Sequence, residues 1–384
     1  MTQSLQKDLI DLLPLGEGAV HELLQDAADQ KSRLRASGPD SEFAGRTAAL
    51  YFEKPSLRTR TTFEVAMNQK GGPALQLDVG SIGIGKRESL ADVARNLERW
   101  LDALVCRTFS HELVQELARR ANIPVVNALT DVSHPCQALA FGQTVIERRG
   151  ALDGLSVVFV GDGNNVARSL AELAAMTGMH FTLACPRGFE LPSDFSALVA
   201  PLFAARGRRF RQVQDPREAV KGADFLYSDV WISMGQEGQK ETKTSSFLPY
   251  QINAELLAVA GEQALVSHCL PAHRGEEITD DVMDGGKAVC FDEAENRLHA
   301  QKAVWIGEIK GQNAGWRGIK GGLQAPGGWV GGLEPGRFGK DLSVSTRISP
   351  FRAGSSSPGA WRGPPSGIGG GREPWDRPRG EIPS

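Results

Sequence analysis

A turn bounded by Pro55 delivers Ser56, Leu57, Arg58, Thr59 and Arg60 into an amphipathic run beginning near Thr61. The start of a helix leaves backbone N–H groups unpaired and carries the positive end of the dipole, so it suits a phosphate. Arg58 and Arg60 add planar, permanently charged forks that match phosphate oxygens bidentately. Taken alone, the stretch reads equally as a capped surface helix with a stray basic pair.

Four further stretches carry reactive side chains. In Asp131-Val132-Ser133-His134-Pro135-Cys136-Gln137, His134 can donate to a carbonyl oxygen and Gln137 can address an amide, although a His before Pro is often a turn residue. Arg107 closes an apolar run and suits an anion if the neighbouring loops gather there. Gly161-Asp162-Gly163-Asn164-Asn165-Val166 is half of a dinucleotide fingerprint. Val166 replaces the third Gly and no acidic residue stands near position 184, so an NAD oxidoreductase is the weaker reading. Asp229 with Ser233 and Met234 following offers a carboxylate and a hydroxyl for an ammonium group, although an acid at a strand end is often a helix cap. His268 to Glu277 holds a thiol, two imidazoles, a guanidinium and two carboxylates. Pro271 and the spacing of His268, Cys269 and His273 fit no standard zinc pattern, so no metal is expected. Cys269 suits a nucleophile, a proton-handling group or an amine-orienting group.

Positioning these loops requires strands that end beside them. Apolar periodicity predicts a helix over 9–35, then strand 47–52, helix 60–70, strand 74–77, helix 89–101, strand 103–107, helix 111–120, strand 124–128 and helix 136–149. A second series follows: strand 156–160, helix 166–177, strand 180–184, helix 193–206, and strands 210–213 and 225–229. This alternation predicts an α/β protein of two doubly wound parallel-sheet domains joined by bridging helices. The expected division is 1–149, 150–290, a helix over 291–308 returning to the first domain, and a tail over 309–384. That tail contains 19 Gly and 9 Pro in 76 residues and no apolar periodicity, a composition expected to be disordered.

Bulk properties exclude several classes. A net charge of −3 with sparse aromatics argues against nucleic acid. No run of about 20 apolar residues is available to span a membrane, and the polar N-terminus lacks a signal-peptide core. Cys106, Cys136, Cys185, Cys269 and Cys290 are far apart in sequence, which fits reduced thiols in a cytoplasmic protein.

Together the segments resemble the ornithine carbamoyltransferase family, in the family's order and over roughly residues 5–304. The matches are Glu53 to Arg60, Glu88-Ser89 with Asp92, His134-Pro135-Cys136-Gln137, Gly161 to Val166, Asp229 to Gly235, His268 to Glu277, and Ala294-Glu295-Asn296-Arg297. The resemblance implies a homotrimer, or a multiple of trimers, in arginine biosynthesis. Each subunit would transfer the carbamoyl group of carbamoyl phosphate to the δ-amine of L-ornithine without a cofactor, giving citrulline and phosphate. It also implies residue roles. Ser56, Leu57, Arg58 and Thr59 hold the phosphate, Arg107, His134 and Gln137 the carbamoyl end, with Arg297 reaching the same ligand. Asn165, Asp229, Ser233 and Met234 bind ornithine, and Cys269 with Leu270 lines the reaction centre, Cys269 handling a proton. Acetylornithine or putrescine as acceptor, and a non-catalytic ligand-binding homologue, are the alternatives. Two features depart from the family. Gly83 stands where many members carry a Gln contributed across the trimer interface, and Val304-Trp305-Ile306-Gly307 leads into the Gly/Pro-rich tail instead of an apolar helix end.

Overall fold

A computed structural model describes residues 8–82, 84, 87–232 and 240–316. Most of its strands are short apolar runs buried on both faces, as parallel sheets covered by helices require; Ala-Leu-Val-Cys-Arg at 103–107 is buried throughout, whereas Ala74–Leu77 and Phe210–Val213 are partly exposed.

An opening helix, Gly16–Ser37 (α1), follows a 3₁₀ turn at Leu13–Leu15. The first sheet comprises Ala48–Phe52 (β1), Ala74–Leu77 (β2), Ala103–Arg107 (β3) and Val125–Leu129 (β4), ordered β2-β1-β3-β4 with every pair parallel. Helices Leu57–Gln69 (α2), Val79–Ile82 (α3), Leu90–Leu97 (α4) and His111–Arg120 (α5) lie between these strands in the chain. Pro135–Arg149 (α6) leads to the second sheet: Ser156–Val160 (β5), His180–Ala184 (β6), Phe210–Val213 (β7), Phe225–Ser228 (β8) and Leu265–His268 (β9). Its order is β7-β6-β5-β8-β9, again wholly parallel. The helices here are Asn165–Thr177 (α7), Ser193–Ala205 (α8), Pro216–Ala219 (α9), Lys240–Phe247 (α10), Ala254–Ala260 (α11) and Asp280–Met283 (α12), and Cys290–Trp316 (α13) closes the described chain.

Two helices tie the sheets together. α6 is buried from Pro135 to Val145, so it is an interior element with no solvent-facing side along that length. Its Phe141 meets Phe225 and Tyr227 of the second sheet edge-on at 5.5 and 5.1 Å. A Cβ on Gly142 would lie 3.0 Å from Leu24 and 3.3 Å from Leu173, so glycine lets α1 and α7 close on α6. From the other end of the chain α13 returns to the first sheet, where Trp305 packs edge-to-face on Phe63 of α2 at 5.8 Å.

The two-sheet architecture matches expectation, while several boundaries move. The first helix begins at Gly16, not 9, because Leu9 bridges to Val126 beside β4 and Pro14 starts a 3₁₀ turn. α2 begins at Leu57, not 60, because Ser56 caps it. α4 stops at Leu97, and Leu101 fills the core from a turn. β8 ends at Ser228, which leaves Asp229 free of the strand. β9 and α9 to α12 were not anticipated. α13 runs on to Trp316, past the expected end at 308. Most of the expected tail, 317–384, and Gly83 lie outside the described residues.

Candidate active site

In both sheets the chain steps to one side of its first strand and then crosses to the other, so strand order reverses between β1 and β3 and between β5 and β8. Loops leaving the carboxyl ends of strands at such a switch point diverge and leave a crevice. The segments singled out by chemistry leave these ends: Glu53 to Thr59 after β1, Arg107 at the end of β3, Gly161 to Asn164 after β5 and Asp229 after β8. The His134 loop follows β4, and Cys269 follows β9.

Ser56 is the N-cap of α2, its Oγ accepting from Thr59 N at 3.2 Å. Leu57, Arg58 and Thr59 therefore form the first turn, where N–H groups lack helical partners. Leu57 is 77% exposed, so its side chain is not part of the buried cluster. Thr59 is buried, and two guanidinium groups from distant segments donate to its Oγ1: Arg107 Nη1 at 3.4 Å and Arg297 Nη2 at 2.6 Å. The Nε atoms of Arg107 and Arg297 are buried without an acceptor among the described residues. Lys54 is drawn aside, paired with Asp131 and stacked 4.3 Å over Phe109, and Arg60 faces outward onto Glu64 at 2.9 Å.

Concentrated positive charge marks this wall. Burial, then Arg297 and Arg58, lower Arg107 to about 10. Burial lowers Arg58, offset by Cys269 and Asp229. His134 is held well below 6.5, by burial first and then by Arg297, Arg107, Arg58 and Lys54. It is thus a neutral imidazole beside three guanidinium groups. Its Nδ1 is buried with no partner among the described residues, while its backbone N–H is anchored to Ser169 Oγ at 2.8 Å. Gln137 Nε2 donates to Glu293 Oε1 at 2.5 Å, and its Oε1 is buried with no donor among the described residues.

Facing this wall are Asp229 and Cys269. The Cys269 thiol donates to Asp229 Oδ1 at 2.8 Å, Asn164 Nδ2 donates to Oδ2 at 2.8 Å, and Val230 N donates to Oδ1 at 2.8 Å. Burial, then Asp229, pushes the thiol well above its ordinary 9.0, so Cys269 stays protonated at neutral pH. Leu270, next in the loop, takes φ 57° and its N–H donates to His268 Nδ1 at 2.9 Å. Glu277 receives the N–H of His273 at 2.5 Å and stands 3.2 Å from His268 Nε2. His273, Glu276 and Glu277 approach within 4.8 Å of one another, but Glu277 is engaged by the loop itself. Asn165 Nδ2 donates to Thr130 O at 2.6 Å, tying the α7 start to the His134 loop. Ser233 and Met234 lie outside the described residues.

The structure thus brings Ser56, Leu57, Arg58, Thr59, Arg107, His134, Gln137, Arg297, Asp229, Cys269 and Leu270 to the adjoining strand ends. The sequence singles out Asn164 with Asn165 for a small polar ligand, whereas here Asn164 caps α7 and holds Asp229; sequence reasoning missed Glu293. The available signal for Glu293 was its spacing, one helical turn before Arg297.

Residues 7–147 match the family described as aspartate/ornithine carbamoyltransferase, carbamoyl-P binding domain, and residues 153–306 match its Asp/Orn binding domain. The chain is 47% identical to the ornithine carbamoyltransferase of Symbiobacterium thermophilum over 305 residues, covering 79% of this chain and 98% of that protein. It is 44% identical to that of Methanosarcina mazei over 300 residues, covering 78% and 98%. Among solved structures, ornithine carbamoyltransferase from Pyrococcus furiosus superposes with a TM-score of 0.78 at 42% identity, covering 81% of this chain and 99% of that one. The Thermus thermophilus enzyme gives 0.70 at 43% identity, covering 79% and 98%.

Proposed function

The chain belongs to the aspartate/ornithine carbamoyltransferase family, and from that membership we infer that it is an ornithine carbamoyltransferase. The δ-amine of L-ornithine attacks the carbonyl carbon of carbamoyl phosphate. The new C–N bond gives citrulline, the C–O bond to phosphate breaks, and of the two protons the ammonium nitrogen gives up, one goes to Asp229 before attack and the other leaves with the phosphate.

The observation that carries the residue assignment is the meeting of Arg107 and Arg297 on Thr59 Oγ1 at the start of α2. Carbamoyl phosphate is a compact dianion, and a helix start ringed by Arg58, Arg107 and Arg297 is built for one. Ser56 shapes that turn, and Leu57 offers its backbone N–H. Charge grows on the carbonyl oxygen and on the leaving phosphate during transfer, where pre-placed donors act most strongly. Arg107 and neutral His134 address the carbonyl oxygen, while Gln137 addresses the carbamoyl amino group. Across the crevice Asp229 pairs with the ammonium of ornithine and takes its proton. Cys269 holds Asp229 Oδ1 in place with its own proton, and Leu270 closes the wall. Asn165, with Ser233 and Met234, completes the amino-acid end of the site.

The same reading assigns carbamoyl phosphate to 1–149, ornithine to 150–290, and the return to the first domain to the helix over 291–308. It also places the enzyme in the cytoplasm as a homotrimer serving arginine biosynthesis; among the described residues no helix is long and apolar enough to cross a membrane. The deciding assay measures carbamoylated product from carbamoyl phosphate with ornithine, putrescine, acetylornithine or aspartate in parallel. Citrulline from ornithine is expected to dominate, and a preference for any other acceptor would reject the assignment.

A further inference from the structure

Glu293 lies at the start of α13, is fully buried, and receives three donors from three different elements. Gln137 Nε2 of α6 reaches its Oε1 at 2.5 Å, Tyr227 OH of β8 reaches the same oxygen at 2.6 Å, and Ser267 Oγ of β9 donates to Oε2. No step of the proposed reaction uses this carboxylate. Yet one turn further along the same helix stands Arg297, whose guanidinium bonds Thr59 in the anion wall.

We propose that Glu293 is a positioning residue for the carbamoyl donor, holding the Gln137 amide so that its carbonyl oxygen faces the carbamoyl amino group. This rests on the carbamoyltransferase reading above. An ionised carboxylate only accepts, so it selects the amino end of the Gln137 side chain and leaves Oε1 pointing away from it. That Oε1 is buried with no donor among the described residues, a costly state unless a ligand supplies one. The amino group of carbamoyl phosphate supplies two N–H donors. A flipped Gln137 would set N–H against N–H.

Burial pushes the Glu293 carboxyl up to about 7, opposed by its bonds to Ser267, Tyr227 and Gln137. A proton on Oε2 would face the Ser267 hydroxyl, which can accept it, so Oε1 remains an acceptor for Gln137 in either state. The device thereby sets a preference for a carbamoyl over an acetyl group, since acetyl phosphate presents a methyl where carbamoyl phosphate presents N–H.

The test uses the full-length enzyme with E293M and E293Q. It reads KM for carbamoyl phosphate in citrulline formation alongside the inhibition constants of acetyl phosphate and inorganic phosphate. Loss of one buried amide hydrogen bond should raise the carbamoyl phosphate KM of E293M by about tenfold. Both inhibition constants should stay within about twofold, because neither anion presents an N–H group to Gln137. In E293Q the new amino group can rest on Ser267 and leave the carbonyl for Gln137, so its KM should return to within about threefold of wild type. If E293M does not fold, E293D carries the same expectation as E293M, its carboxylate being one methylene short of Gln137. Equal weakening of all three anions, an unchanged KM, or E293Q behaving like E293M would each overturn the proposal. Failure of the wild-type enzyme to form citrulline would instead overturn the carbamoyltransferase reading.

Discussion

Arg58 occupies the second position of α2, half-buried, with the Asp229 carboxylate acting on it from across the crevice. Its guanidinium makes no hydrogen bond or ion pair among the described residues, and the Arg58 carbonyl that accepts from Thr62 Oγ1 at 2.7 Å survives truncation, so removal of the side chain should leave the fold intact and affect the reaction alone. Arg58→Ala is expected to lower turnover by about 10²–10³-fold or more, with an unchanged melting temperature, as loss of a pre-placed charge donor does. Steady-state rates beside thermal melts check this, and near-normal turnover would sink the assignment. Asp229→Asn removes the charge proposed to pair with ornithine and keeps one carbonyl oxygen for the Val230 N–H, while its amide NH2 replaces the oxygen that Asn164 Nδ2 donates to. It should raise the ornithine KM and lower turnover, by about 10²–10⁴-fold for loss of a proton acceptor, while carbamoyl phosphate binding stays close to wild type. Equal losses for both substrates in binding measurements would contradict that division. Ser56, Arg58, Arg107, His134 and Asp229 were legible as candidates beforehand, because they are residue types whose chemistry is intrinsic. Partner choice was not. Of two arginines near the turn, Arg58 faces the site and Arg60 pairs with Glu64, a distinction set by where α2 starts.

At the level of elements, α7 meets the N-terminal segment through one buried acid. Glu172 Oε2 accepts from Leu12 N at 3.0 Å, and Arg168 lies 3.3 Å from its Oε1. Burial, then the neighbouring Asp11, pushes its pKa from 4.5 up to about 7. A folded-state pKa above the unfolded value means the contribution is fully present below about 4.5 and is lost as pH rises through about 7. Glu172→Gln removes that titration. Its melting temperature relative to wild type should therefore be higher at pH 8 than at pH 5; the same offset at both pH values would show that Glu172 does not titrate in this interval. His299 acts oppositely, since burial, then Lys302 and Lys31, lower it to about 4, and its contribution is lost as pH falls. Comparing a variant with wild type cancels that background. Long periodic helices and aliphatic strands were readable at this scale, because burial of one stripe or of both faces imposes a pattern. β9 was not, since Leu-Val-Ser-His is four residues long and only its place beside β8 makes it a strand.

Across the whole molecule, the crevice joins groups from both sheets and from the returning helix, so no half of the chain can assemble it. The proposed homotrimer predicts a solution mass of about three times 41.3 kDa by light scattering; a monomer with full citrulline-forming activity would remove the intersubunit part of the family resemblance. Periodicity was enough to determine an α/β chain of two parallel sheets, and motif order carried the family resemblance that implies the ligands. Such patterns are written in local properties: side-chain charge, strand length and the glycines and prolines of turns. Tertiary structure alone decided that Arg297, 238 residues beyond Thr59, closes on its hydroxyl. The Cys269 thiol faces Asp229, and Glu293 orients Gln137, for the same reason. Such contacts join segments far apart in the chain, and their geometry is set by how α6 and α13 pack between the sheets, which no local pattern encodes.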